Sequence, residues 1–152
     1  MGVRTGDGWV EGPSGERYWG RFGAAGLLLH DRERGILLQH RAHWSHFGGT
    51  WGIPGGARDE GEPAIDAALR EAGEEAGVPA GVVDVRGTRV LDLGYWSYTT
   101  VIARTRRAFD PVVSDQESLE LRWVPIAEVG DLDLHPRFAE SWPELAAALA
   151  EG

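Results

Sequence analysis

Glu71, Glu74 and Glu75 stand at i, i+3 and i+4, so a helix through them gathers three carboxylates on one face. Apolar Ile65, Leu69, Ala72 and Ala76 recur at helical spacing around them, with Pro63 in the first turn and Gly77 and Pro79 as stops, which predicts a helix over residues 63–76. Folding alone gains nothing from this arrangement. Like charges one turn apart repel, the C-terminal end of a helix dipole favours cations, and Gly73 lowers helix propensity by about 1 kcal/mol against alanine. The excess extends along the chain: residues 56–78 hold seven acids and two arginines, more than half of the net charge of −9.

A divalent cation would reconcile these features. Carboxylate oxygens suit hard ions such as Mg²⁺ or Mn²⁺, and the cluster has neither imidazole nor thiolate. Mg²⁺ keeps several waters and shares the rest of its shell with substrate phosphates, an arrangement suited to hydrolysis of a phosphoanhydride. Arg70 is placed to orient or partly neutralise Glu71. The competing explanation is a solvated acidic helix face.

The spacing argues against that explanation. Gly56, Glu62, Arg70, Glu71, Ala72, Glu74, Glu75, Gly77 and Val78 fill, in order, every position of G-x5-E-x7-R-E-U-x-E-E-x-G-U, where U is aliphatic. This stretch resembles the Nudix box. The resemblance extends over about residues 21–130, because WGIPGG upstream is similar to the family's W-x-x-P-G-G lead-in and RWVPIAEV to its later strand and turn. It implies an α/β/α sandwich with a mixed β-sheet. It also implies that Glu71, Glu74, Glu75 and the backbone carbonyl of Gly55 hold metal, that Arg70 orients Glu71, and that Glu62 is a helper near the metals or a helix-start residue. Family members often add an acid before the late strand; Glu117 matches best, with Asp115 and Glu120 as rivals, and the general base stays open between Glu71 and Glu117. Arg41 corresponds to an arginine that contacts substrate phosphate in MutT-type relatives. Trp44, Phe47 and Trp51 fall near the entrance such a fold makes, where an aromatic ring can stack a base. Tyr95 lies at the distance of a tyrosine found in dinucleoside-polyphosphate hydrolases, although packing in a β stretch explains it equally. His40, His43 and His46 invite a zinc reading, but their spacing follows no common zinc motif.

The elements expected to position these residues are strands on either side of a turn at Asp31–Gly35, a loop HWSHFGGT, and the 63–76 helix. Beyond them come strands over 82–93, 95–104 and 119–124, and a last helix capped by Ser141. Residues 1–20 read as a loose lead-in and residues 21–152 as one domain. All fifteen basic residues are arginine, and the acidic balance disfavours duplex nucleic acid, an anionic membrane or a capped messenger RNA as partner. No cysteine is present, so disulfides, thiolate zinc sites and thiol nucleophiles are excluded. No secretion signal is evident and the longest apolar run is too short to span a bilayer, so a cytoplasmic protein is expected. The expected activity is metal-dependent cleavage of the diphosphate link of a small nucleotide, first an (oxidised) nucleoside triphosphate giving monophosphate and pyrophosphate. ADP-ribose, nucleotide sugars and dinucleoside polyphosphates come next, and the alternative class is a silent nucleotide-sensing module. A homodimer through residues 1–20 is compatible with the resemblance.

Overall fold

The computed structural model describes residues 4–113, 116 and 118–151. Its strands are β1 (Trp9–Glu11), β2 (Arg17–Trp19), β3 (Ala24–Asp31), β4 (Gly35–Arg41), β5 (Trp51–Gly52), β6 (Gly55–Ala57), β7 (Val83–Asp92), β8 (Ser97–Thr105) and β9 (Ser118–Val124). Two α-helices, α1 (Ala64–Ala76) and α2 (Pro136–Glu151), complete it, with short 3₁₀ turns at Ala80–Val82 and Ile126–Asp131.

A mixed sheet separates the two helices. β3 and β8 pair in parallel at its centre, β7 lies antiparallel outside β8, and β9 covers the far edge of β4. Alternation along β3 sends Ala25, Leu27 and Leu29 to a core shared with α1, while Leu28 joins a second core that includes Phe138, Trp142, Leu145 and Leu149 of α2. Both faces are covered, which is the expected α/β/α sandwich.

β3 and β4 pair only next to their turn, at His30–Ile36 and Asp31–Gly35, and then part. The gap is filled by residues 51–57, with β5 pairing β4 and β6 pairing the start of β3. The sequence assigned no element to this wedge. It carries Gly55 and Gly56 to α1; backbone crowds the first position and the Glu71 carboxyl the second. A Cβ on Gly55 would lie 2.5 Å from the Ala25 carbonyl oxygen, and one on Gly56 would lie 2.6 Å from Cδ of Glu71.

α1 begins after Pro63 and ends at Gly77, whose φ of 65° lets its N–H and that of Val78 close back on Gly73 and Ala72. Its buried face is Ala67, Ala68, Ala72, Glu75 and Ala76, so Ile65 is exposed instead of contributing to the core. Small side chains let the helix approach β3 closely, and Glu75 is carried inward with them.

Two expectations change at the ends of the chain. Residues 9–19, expected to be loose, form an antiparallel hairpin in which Trp9 pairs with Trp19. α2 starts at Pro136, five residues before Ser141; the Ser141 hydroxyl donates to the Arg137 carbonyl one turn back, and Pro143 sits inside the helix. Among the described residues, no helix is long and apolar enough to cross a membrane.

Candidate active site

The three glutamates of α1 diverge more than their spacing suggests. Glu75 is 2% exposed, and its Oε2 accepts the Gly55 N–H at 3.1 Å. Glu71 is half-buried, shares a hydrogen bond with Glu75 and rests against Gly56. The Glu74 side chain is 58% exposed and is drawn towards Arg70 at 3.5 Å.

Arg70 organises the outer side of this cluster. Its Nε and Nη2 grip both carboxylate oxygens of Glu62 at 2.9 Å, Nη2 also donates to the Ala57 carbonyl, and Nη1 donates to Oε1 of Glu71 at 3.0 Å. Glu62 in turn accepts the Asp59 N–H. The bidentate bond holds the Glu62 carboxyl below its ordinary value and keeps Arg70 firmly charged. Glu62 therefore fixes Arg70, and Arg70 fixes one oxygen of Glu71. Burial nevertheless prevails at Glu71: with Glu74 nearby it outweighs Arg70 and pushes the carboxyl up to about 7.

Among the described residues, no three His, Asp or Glu side chains are gathered tightly enough to cage an ion by themselves. This covers the His40, His43 and His46 run: His40 lies flat on Trp51, with ring centroids 4.4 Å apart, and bonds the Gly49 carbonyl. The Glu71–Glu75 pair still suits a divalent cation of the magnesium type, which takes one or two protein carboxylates and completes its shell with water and phosphate. Two carboxyls sharing a buried position, one of them forced towards neutrality, are stabilised by such a charge. Glu117 and Asp115 lie outside the described residues. Glu120 sits on β9 opposite His40 and is engaged by Arg122 at 3.2 Å.

Glu71, Glu75, Gly55 and Gly56 line a cavity of about 770 Å³. Arg41, at a register shift that ends β4, also lines it and donates to the His46 carbonyl at 2.9 Å. Trp44, 69% exposed, lies on the rim. The other expected aromatic residues do not line the cavity. Trp51 is 7% exposed in the core, stacked on His40 and covered by the Arg122 guanidinium at 4.8 Å. Phe47 packs between His46 and His135. The Tyr95 hydroxyl donates to Glu16 at 2.7 Å and so braces the hairpin.

Sequence reasoning missed much of the rest of the lining. Trp9, Trp19, Trp96, Tyr98, His135 and Arg137 all line the cavity. Tyr98 is partly buried against the α2 core and lies near Glu75, Arg137 and Arg41; loss of solvent, with the Glu75 charge nearby, raises its pKa. Burial, with Arg41 and Arg137 beside it, pushes His135 down to about 3, so it is neutral at physiological pH. The Arg137 guanidinium lies over the Tyr18 and Trp96 rings at 4.7 and 5.2 Å, and burial lowers its pKa. No short motif marks these residues, because they come from β1, β2, β8, α2 and the segments just before the last two.

A family model described as the NUDIX domain matches residues 20–145. The chain is 53% identical over 155 aligned positions to a Mycobacterium tuberculosis protein provisionally named 8-oxo-dGTP diphosphatase 3, covering 95% of this chain and 71% of that protein. It is 44% identical to a Bifidobacterium longum nucleoside triphosphate pyrophosphatase/Nudix hydrolase fusion protein, covering 97% of this chain and 32% of the fusion. The crystal structure of RenU, a Nudix hydrolase from M. smegmatis, superposes with a TM-score of 0.86 at 49% identity, covering 96% of each chain. With the family pattern spanning most of its length and the fold matching throughout, the chain belongs to the Nudix hydrolase family.

Proposed function

We propose that the protein is a divalent-metal-dependent pyrophosphohydrolase that converts a nucleoside triphosphate, in particular an oxidised purine nucleoside triphosphate, to the monophosphate and pyrophosphate. The carrying observation is the Glu71–Glu75 pair set against the Gly55–Gly56 backbone on one wall of the cavity. The name of the M. tuberculosis relative supports an oxidised guanine nucleotide as the first substrate to test.

In this reading Glu71, Glu74, Glu75 and the Gly55 carbonyl hold Mg²⁺ or Mn²⁺, and Glu117 adds a carboxylate. When bound, the cation neutralises phosphate charge and makes water more acidic. Arg70 holds Glu71 through Oε1, Glu71 shares a hydrogen bond with Glu75, and the Gly55 N–H holds Glu75. Arg41 stabilises negative charge developing on the phosphate oxygens. Water attacks phosphorus as the bridging P–O bond breaks, pyrophosphate leaves with the bond's electrons, and a carboxylate of the cluster takes the water's proton.

Purified protein with Mg²⁺ should release monophosphate from at least one of 8-oxo-dGTP, the unmodified triphosphates, ADP-ribose, sugar nucleotides or dinucleoside polyphosphates. Glu75→Gln, which retains an acceptor for the Gly55 N–H, should remain folded and lose release. Unchanged turnover in that variant would falsify the metal assignment.

A further inference from the structure

We propose that the β1–β2 hairpin is the wall of the cavity that receives the nucleobase, with the Trp9–Trp19 pair as its stacking surface. The proposal rests on the nucleotide reading above and adds the element that recognises the base.

The hairpin forms a two-stranded sheet of its own, separate from the main sheet. Strands of three residues do not hold such a sheet together unaided, and the body anchors it on one side. Tyr18 stacks on Trp96 with ring centroids 4.4 Å apart, and Arg137 covers both rings. The Trp96 indole N–H donates to the Trp19 carbonyl, Tyr95 donates to Glu16, and the Gly6 N–H donates to Asp59.

Trp9 and Trp19 are not used in this anchoring stack. They are register partners, so both project from the face opposite Tyr18. Their centroids lie 5.1 Å apart with planes at 75°, which makes an aromatic corner, and His46 meets Trp9 at 5.2 Å. Each tryptophan is 41% exposed, and both line the cavity that contains Glu71 and Glu75. The Arg17 guanidinium covers one side of the Trp9 ring at 4.5 Å, and the parts of the two rings still exposed on this braced hairpin gain burial when a flat apolar ligand enters. A phosphate chain held near the acids places its base within this same cavity. Arg137, which has no ion-pair partner among the described residues, adds fixed positive charge to the wall that meets an anionic ligand.

The test separates base recognition from metal chemistry by measuring dGMP binding calorimetrically in chelator. Wild-type protein should bind dGMP more tightly than deoxyribose 5-phosphate, which lacks a base. Trp9→Ala and Trp19→Ala should each weaken dGMP binding about ten-fold, towards the sugar phosphate, on the scale of a lost base–indole stack. Trp9→Phe, which keeps a π-face and controls for detachment of the hairpin, should recover most of the affinity. Equal affinity for dGMP in wild type and both alanine variants overturns the proposal. So does a change in sedimentation on Trp9→Ala with dGMP binding untouched, which would make the corner a self-association surface. The function reading fails separately, if wild-type protein binds dGMP through these rings yet hydrolyses no diphosphate in Mg²⁺.

Discussion

Gly56→Ala isolates the placement of Glu71 from the stability of the fold. The new methyl carbon would stand 2.6 Å from Cδ of Glu71 and 2.7 and 2.8 Å from its two oxygens. Ordinary contact begins at 3.4 Å, so the carboxyl must retreat by about 0.8 Å. The obstructing group is the far end of a side chain, and the Gly56 backbone is not in the left-handed region, so the chain tolerates alanine. The cost therefore falls on geometry: a misplacement of about 1 Å at a reacting group lowers turnover on the order of 100-fold. Steady-state kinetics with Mg²⁺ should show the loss in kcat, with the melting temperature within a few degrees of wild type. Gly55→Ala provides the contrast. Its methyl would meet the Ala25 carbonyl oxygen at 2.5 Å and the Gly26 Cα at 2.6 Å, both backbone, so that variant should lose about 1–3 kcal/mol of stability. Wild-type kcat in Gly56→Ala would refute the reasoning that Gly56 makes room for a working carboxylate.

Other outcomes follow from the same geometry. Glu71 titrates higher in the folded protein than the ordinary 4.5, so the folded state binds more protons between about 4.5 and about 7. Stability in chelator should fall as pH rises through that window, Glu71→Gln should flatten the fall, and Mg²⁺ should raise the melting temperature more at pH 8 than at pH 5.5. Arg70→Ala removes the guanidinium donor from Glu62, from one oxygen of Glu71 and from the Ala57 carbonyl, while Glu62 keeps the Asp59 N–H; with partial solvent access, urea unfolding should show a loss of about 2 kcal/mol. Arg70→Lys should recover only part of it, because an ammonium cannot make the forked bond to Glu62. Trp51→Ala should destabilise by about 3–5 kcal/mol as a core truncation, whereas Trp44→Ala on the rim should stay within about 0.5 kcal/mol.

What was readable in advance followed from local periodicity. Helical spacing is enough to bring Glu71 and Glu75 together, and the Pro63 and Gly77 signals bound α1 as found. Periodicity did not reveal which acid turns inward. That depends on the alanine face packing against β3, which buries Glu75 and leaves Glu74 outside. The strands of the wedge could not be recognised from TWGIPGGA, because two and three residues are too few for alternation to show; they form because β3 and β4 separate. Trp51 and Trp44 look alike along the chain. One stacks on His40 of the preceding strand β4 beneath Arg122 of the distant β9, and the other projects from a turn. The hairpin was missed because its turn is glycine-rich and its strands short, and its anchors, Tyr95 and Trp96, are nearly eighty residues away.

The two walls of the cavity therefore answer to different constraints. The acid wall is built from an alanine-packed helix, Gly55 crowded by backbone, Gly56 crowded by the Glu71 carboxyl, and an arginine bonded to three residues, so nearly any change there disturbs the carboxylates. The aromatic wall is a separate sheet whose outer rings face the cavity without supporting the core. Side chains at positions 9 and 19 can be exchanged at little cost to the fold as long as Tyr18, Trp96 and Arg137 keep the hairpin in place. On this division, substitutions at Trp9 and Trp19 should alter which nucleotide is accepted and those at Gly56 and Arg70 how fast it is cleaved. A variant panel scored for KM ratios between bases on one axis and for kcat on the other should separate the two groups, and a hairpin substitution that lowered kcat equally for every base would contradict it.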